Sequence, residues 1–119
     1  MTPIHFTPNS FPTIGVEIEL QLVDAKTFEL RSAINEVLER LPESARESVK
    51  PELMQSYLEI NSSVCRTVAE VGEDLQQKVD LVQSAIDPLD LKLFWAATHP
   101  FSSWREQKVT VDDRYYRLV

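Results

Sequence analysis

The chain has 119 residues, enough for one domain with a real hydrophobic core. Hydrophobic residues make up 43% of it and charged residues 26%, and no apolar run approaches the length of a membrane span. A formal charge of −7 at pH 7 argues against a nucleic-acid binder, which needs a basic face for phosphates, but leaves room for a nucleotide whose charge a metal ion neutralises.

A single cysteine, Cys65, cannot build a disulfide framework within the chain, and the first residues lack the charged and apolar regions of a signal peptide. The expectation is a cytoplasmic protein with no membrane partner. Only two glycines occur, Gly15 and Gly72, so neither a Walker-type phosphate loop nor a dinucleotide fingerprint is present. ATP, if bound, requires another device.

Residues 1–12 carry Pro3, Pro8 and Pro12 and read as an irregular lead-in. From Gly15 to Val23 the chain alternates. Val16, Ile18, Leu20 and Leu22 share one face of a strand, and Glu17, Glu19 and Gln21 share the other. The two carboxylates stand about 7 Å apart along that face. Two readings are open: the solvated face of an antiparallel sheet, or an oxygen-ligand set for a hard cation such as Mg²⁺.

Asp24–Thr27 reads as a turn in which Asp24 bonds its own backbone, and Phe28–Leu30 as a short returning strand. Ser32 opens a helical stripe of Ile34, Val37, Leu38 and Leu41, which Pro42 ends. Glu43–Lys50 is polar, a loop or the approach to another strand, and Pro51–Gln55 fits no pattern. Alternation resumes at Ser56. Leu58 and Ile60 face one way, and Tyr57, Glu59 and Asn61 the other. A second strand thus carries a third carboxylate.

Thr67-Val68-Ala69-Glu70 has the spacing of a capping box. Val68, Val71, Leu75, Val79, Val82 and Ile86 follow at helical steps until Pro88, and Gly72 within them predicts close packing against the sheet. Leu91–Ala97 reads as a third strand, running into a loop rich in aromatics and hydroxyls, Thr98–Trp104. A last helix starts at Asp112 or Asp113 and lacks a C-cap signal. The order predicts an α+β fold, a mainly antiparallel sheet with helices packed on one face.

Cys65, His5 and His99 do not make a zinc set, and Cys65 reads as a small buried hydrophobe. Arg114 offers a planar fork for a carboxylate or phosphate, or a surface pair with Asp112 or Asp113.

Gly15–Asp24, Tyr57–Asn61, Thr98-His99-Pro100-Phe101, Trp104 and Arg114-Tyr115, in this order, resemble the N-terminal part of the glutamate–cysteine ligase type 2 family, the carboxylate–amine ligases. The resemblance covers nearly the whole chain. It implies part of a glutamine-synthetase-like catalytic fold and an ATP-dependent ligation, in which the γ-carboxylate of glutamate is phosphorylated and an amine such as that of cysteine displaces phosphate. Carried over by position, Glu17, Glu19 and Glu59 are Mg²⁺ ligands, while Thr98, His99 and the loop through Trp104 shape the substrate pocket. Arg114 falls in the family's Arg-Tyr pair and is assigned to the nucleotide.

Members are roughly three times this length, as a full catalytic half-barrel with its companion elements requires. The expectation is therefore a truncated portion, inactive alone, lacking the later strands that bring a His-x-His segment and the basic residues for the ATP phosphates. Its unpaired sheet edge would invite self-association into a homo-oligomer. The alternative is a non-catalytic association module that uses an exposed sheet face or edge.

Overall fold

The computed structural model describes residues 3–118; Met1, Thr2 and Val119, the ends of the predicted lead-in and closing segment, lie outside the described residues. Four strands form one antiparallel sheet: β1 (Glu17–Asp24), β2 (Val49–Pro51), β3 (Tyr57–Asn61) and β4 (Leu91–Phe94), in spatial order β2-β3-β1-β4. Helices α1 (Ile34–Arg40), α2 (Glu43–Arg46), α3 (Val68–Ile86) and α4 (Asp113–Tyr116) complete the fold. This is the expected α+β arrangement. No helix among the described residues is long and apolar enough to cross a membrane.

The two faces of the sheet separate as the alternation predicts. Leu20 and Leu22 of β1, Leu58 and Ile60 of β3, Val49 of β2 and Leu91 of β4 bury on one face against Ile34, Val37 and Leu41 from the α1 region and Val82, Ala85 and Ile86 of α3. Each such aliphatic side chain contributes about 1.5–3 kcal/mol when fully removed from water. Helix α3 starts with a variant of the capping box, in which the carboxylate bonds the residue before the N-cap. Thr67 Oγ1 accepts the Glu70 N–H, and the Glu70 carboxylate reaches back to the Arg66 N–H at 2.6 Å.

Several predicted features come out differently. Val68 is 77% exposed, and the buried stripe of α3 starts at Val71. Gly72 is exposed too, with nothing within 4 Å of where a Cβ would stand, so it packs against no strand. Phe28–Leu30 makes a single bridge, Val23 to Leu30, rather than a strand, since Phe28 takes a left-handed φ of 60° that breaks extended pairing. Between Glu43 and Lys50 the second of the two alternatives holds, since the chain makes the one-turn α2 and then enters β2. Strand β4 stops at Phe94, and Trp95 is 64% exposed.

Gln21 lies on the polar face, as the alternation predicts, but is fully buried there. The chain after β4 turns back over this end of the sheet. The His99 ring meets the Phe94 ring at 5.5 Å, Tyr57 Oη donates to Ala97 O, and Gln21 Nε2 donates to Tyr57 Oη. Farther on, Lys108–Thr110 runs alongside Leu53–Gln55, through Gln55 N–H to Lys108 O and Thr110 N–H to Leu53 O, each 2.8 Å. Half of the polar face is thus roofed, and the half carrying Glu17 and Glu19 stays open.

Candidate metal centre

Strand pairing places Glu19 directly opposite Glu59, with Glu17 opposite Asn61 and Gln21 opposite Tyr57. Like charges directly across a ladder are destabilising. A third carboxylate joins them from an unexpected place. Glu52 follows β2, and carboxylate oxygens of Glu19, Glu52 and Glu59 lie within 4.8 Å of one another.

The C-terminal segment holds Glu52 there. Thr110 Oγ1 donates to Glu52 O, Thr110 N–H donates to Leu53 O, and Tyr115 Oη donates to Pro51 O at 3.2 Å. The Glu52 carboxylate accepts the Leu53 N–H at 3.1 Å, and Asn61 Nδ2 donates to Glu59 Oε1 at 2.7 Å. Burial pushes the Glu52 carboxyl above the usual range, and the negative neighbours Glu19 and Glu59 push it the same way.

No cation pairs with these three carboxylates among the described residues. Among the described residues the ion pairs within 4.0 Å are Asp24–Arg31 and Asp74–Lys78, and Lys50, opposite Glu59 on β2, pairs with none of the three. An all-oxygen set with one half-buried, charge-strained carboxyl suits a hard divalent cation, and it lacks the nitrogen or sulfur donors that zinc favours. The residues present fit Mg²⁺.

Glu17 stands apart from this cluster. It is exposed and lines a polar depression of about 590 Å³ with Glu47, Lys50, Asn61 and Ser62. Thr98, His99 and Trp104 do come together, around a depression of about 340 Å³ that also takes in Met54, Tyr57 and Gln107. Tyr57 and Ala97 are shared with a neighbouring depression of about 320 Å³ that reaches Glu19, so the aromatic hollow and the carboxylates adjoin.

Both ring nitrogens of His99 are committed. Nδ1 accepts the Ser102 N–H at 3.0 Å, which leaves the proton on Nε2, 2.8 Å from Phe28 O. His99 therefore shapes the hollow by clasping its loop to the turn after β1. Trp104 is 74% exposed, with the Arg105 guanidinium 5.4 Å from its ring centroid. Arg114 makes no ion pair with Asp112, whose carboxylate caps α4 through the Arg114 N–H. Its guanidinium donates to Tyr115 Oη at 2.6 Å and lies over that ring, beside the segment that carries Glu52.

Glu52 is the residue that pattern reading missed. The three-residue β2 is too short to show a period, and Glu52 reaches the cluster through the docking of residues 108–115, more than fifty positions away.

Fold and cluster together define an α+β protein in which three carboxylates meet on the polar face of the sheet. A family model described as glutamate-cysteine ligase family 2 (GCS2) matches residues 13–119, and the chain belongs to that family. It is 46% identical over 118 residues to "Putative glutamate--cysteine ligase 2-1" of Rubrobacter xylanophilus, covering 98% of this chain and 31% of the relative. Against "Putative glutamate--cysteine ligase 2" of Thermobifida fusca it is 43% identical over 120 residues, covering 98% of this chain and 30% of the relative. A protein of the same name from Chloroflexus aurantiacus is 39% identical over 107 residues, with 90% of this chain and 27% of the relative covered. The chain spans about a third of the length of the curated relatives it matches.

Proposed function

We propose that this chain is the N-terminal portion of an ATP-dependent carboxylate–amine ligase with a glutamine-synthetase-like catalytic fold, and that it supplies the Mg²⁺-binding carboxylates. The observation that carries the reading is the meeting of Glu19, Glu52 and Glu59 on the polar face of the sheet, in a chain of the glutamate–cysteine ligase family 2.

In this reading Glu19, Glu52 and Glu59 would hold the cation, and Glu17, on the same face, lines the adjoining depression and would add its charge there. Bound Mg²⁺ supplies charge neutralisation for a transferring phosphoryl group. The γ-carboxylate oxygen of glutamate attacks the terminal phosphorus of ATP, ADP leaves, and an acyl phosphate forms. The acceptor amine, that of cysteine or a related compound, then attacks the acyl carbon, loses a proton and expels phosphate. Thr98, His99 and Trp104 form the wall against which substrate is oriented. Arg114, whose guanidinium donates to Tyr115 Oη, would supply a fixed cation for the anionic nucleotide.

The test is ADP release by the full-length protein with glutamate and cysteine. Glu19→Gln, Glu52→Gln and Glu59→Gln each lower turnover by a hundredfold or more at fixed Mg²⁺, as loss of a charge-stabilising ligand implies. Unchanged turnover in these variants removes the metal-ligand roles.

A second reading has one observation in its favour. Strand β4 pairs only with Gln21–Asp24, so among the described residues the β4-side edge of Glu17–Leu20 has no strand partner. That edge suits an association module adding a strand from another chain, including a second copy. Mg²⁺ separates the readings, because a ligand of the folded state raises its melting temperature and an edge-pairing module shows no such response.

A further inference from the structure

We propose that Asn61 is a positioning residue of the carboxylate site: its amide holds Glu59 in place, and the Lys78–Asp74 pair of α3 holds Asn61. The inference rests on the reading of the Glu19, Glu52 and Glu59 cluster as a cation site.

Asn61 ends β3, opposite Glu17, and its Nδ2 donates to Glu59 Oε1 at 2.7 Å. Turning the amide over would set its oxygen against a carboxylate, so the donor end must face Glu59. The other end of the amide is left in an unfavourable position. Asn61 Oδ1 is buried and has no hydrogen-bond partner among the described residues. An oxygen left unpaired in this way is destabilising, and asparagine is itself a poor strand former where valine or isoleucine would do better. Two local rules are broken at one position, and what the fold gains is a single fixed orientation for Glu59.

The backbone of Asn61 is clamped from the helix side. Lys78 Nζ donates to Asn61 O at 2.9 Å and to Asp74 Oδ2 at 2.7 Å, while Asp74 accepts from Ser63 N–H at 2.8 Å and Ser63 Oγ at 2.9 Å. Asn61 N–H donates to Ser48 O on the other side. Helix α3, which contributes no ligand, thus sets the carboxylate through one amide. Groups that orient metal ligands in this way typically change affinity by 10–100-fold when removed.

The test uses Asn61→Val, which keeps the strand and removes the amide, with Mn²⁺ as the probe. Mn²⁺ affinity is measured by calorimetric titration and metal-free stability by urea unfolding. The proposal predicts at least a tenfold weaker Mn²⁺ affinity with metal-free stability equal to or above that of the parent. A purely structural role predicts the reverse: a variant that is less stable, or unfolded, whose affinity falls only with its stability. Unchanged affinity overturns the proposal and leaves the cation site standing, whereas a parent chain that binds no Mn²⁺ overturns both. Lys78→Met extends the test to the helix. It weakens Mn²⁺ binding in the parent and has little further effect in Asn61→Val; additive effects in the double variant would remove the clamp from the proposal.

Discussion

At the scale of single residues, two acidic side chains respond to folding in opposite directions. Hydrogen bonds from Lys78 and then Ser63 hold the Asp74 carboxyl below its ordinary value of 3.8. Its contribution to stability is present above that value and is lost as the pH falls through the lower folded one. Asp74→Asn is therefore expected to lower unfolding stability by about 1 kcal/mol at pH 7, with the partial exposure of the pair keeping the figure small. The difference from the parent should begin to close below pH 3.8, and a gap that shows no narrowing as the pH falls further would assign the loss to packing. Glu52 has the reverse sign, because its carboxyl is raised by burial and by Glu19 and Glu59. Its ionisation opposes folding as the pH rises. Glu52→Gln should leave the metal-free chain as stable as the parent or more so at pH 7, while weakening cation binding. Equal losses of both in one urea and Mn²⁺ series would contradict the assignment.

Among the elements, α3 is the one the primary structure announces most clearly. Its 19 residues are long enough for the apolar step of three and four to repeat, and Thr67 marks its start. Thr67→Ala should cost about 1 kcal/mol, the usual value of a lost N-cap. Gly72 offers a test of the opposite sign. It faces open space within the helix, so Gly72→Ala should raise stability by about 0.5–1 kcal/mol in chemical denaturation. A loss there would mean that the position needs its glycine for packing. Strand β2 shows the limit of local pattern. Three residues carry no period, and Val49–Pro51 is a strand only because Leu58–Ile60 offers it a ladder. Phe28–Leu30 errs the other way: its composition suits a strand, and the positive φ at Phe28 cancels it.

Over the whole molecule, the sheet with one helix-covered face was legible because the aliphatic and polar positions of β1 and β3 alternate in phase. That alternation also put Glu19 and Glu59 on the same face, while their direct opposition awaited the register. Glu52 stayed hidden because tertiary docking of Thr110 and Tyr115 positions it. Likewise Gln21 is buried by a segment more than seventy residues later, which no window along the chain can foresee. The chain covers 31% of the Rubrobacter relative, and this sets the expectation for activity. On the proposed reading, the 119-residue chain alone should bind Mg²⁺ yet release little ADP with glutamate and cysteine, and a protein of the relatives' full length should turn over. Robust turnover by the short chain, with its mass verified, would refute that division.

The most direct test of the central claim is calorimetric titration of the chain with Mg²⁺ in the absence of nucleotide. Parent and Glu17→Gln are predicted to bind one ion with similar affinity, and Glu19→Gln, Glu52→Gln and Glu59→Gln each to lose at least tenfold. Indistinguishable titrations across all five proteins would contradict the claim that Glu19, Glu52 and Glu59 form one cation site.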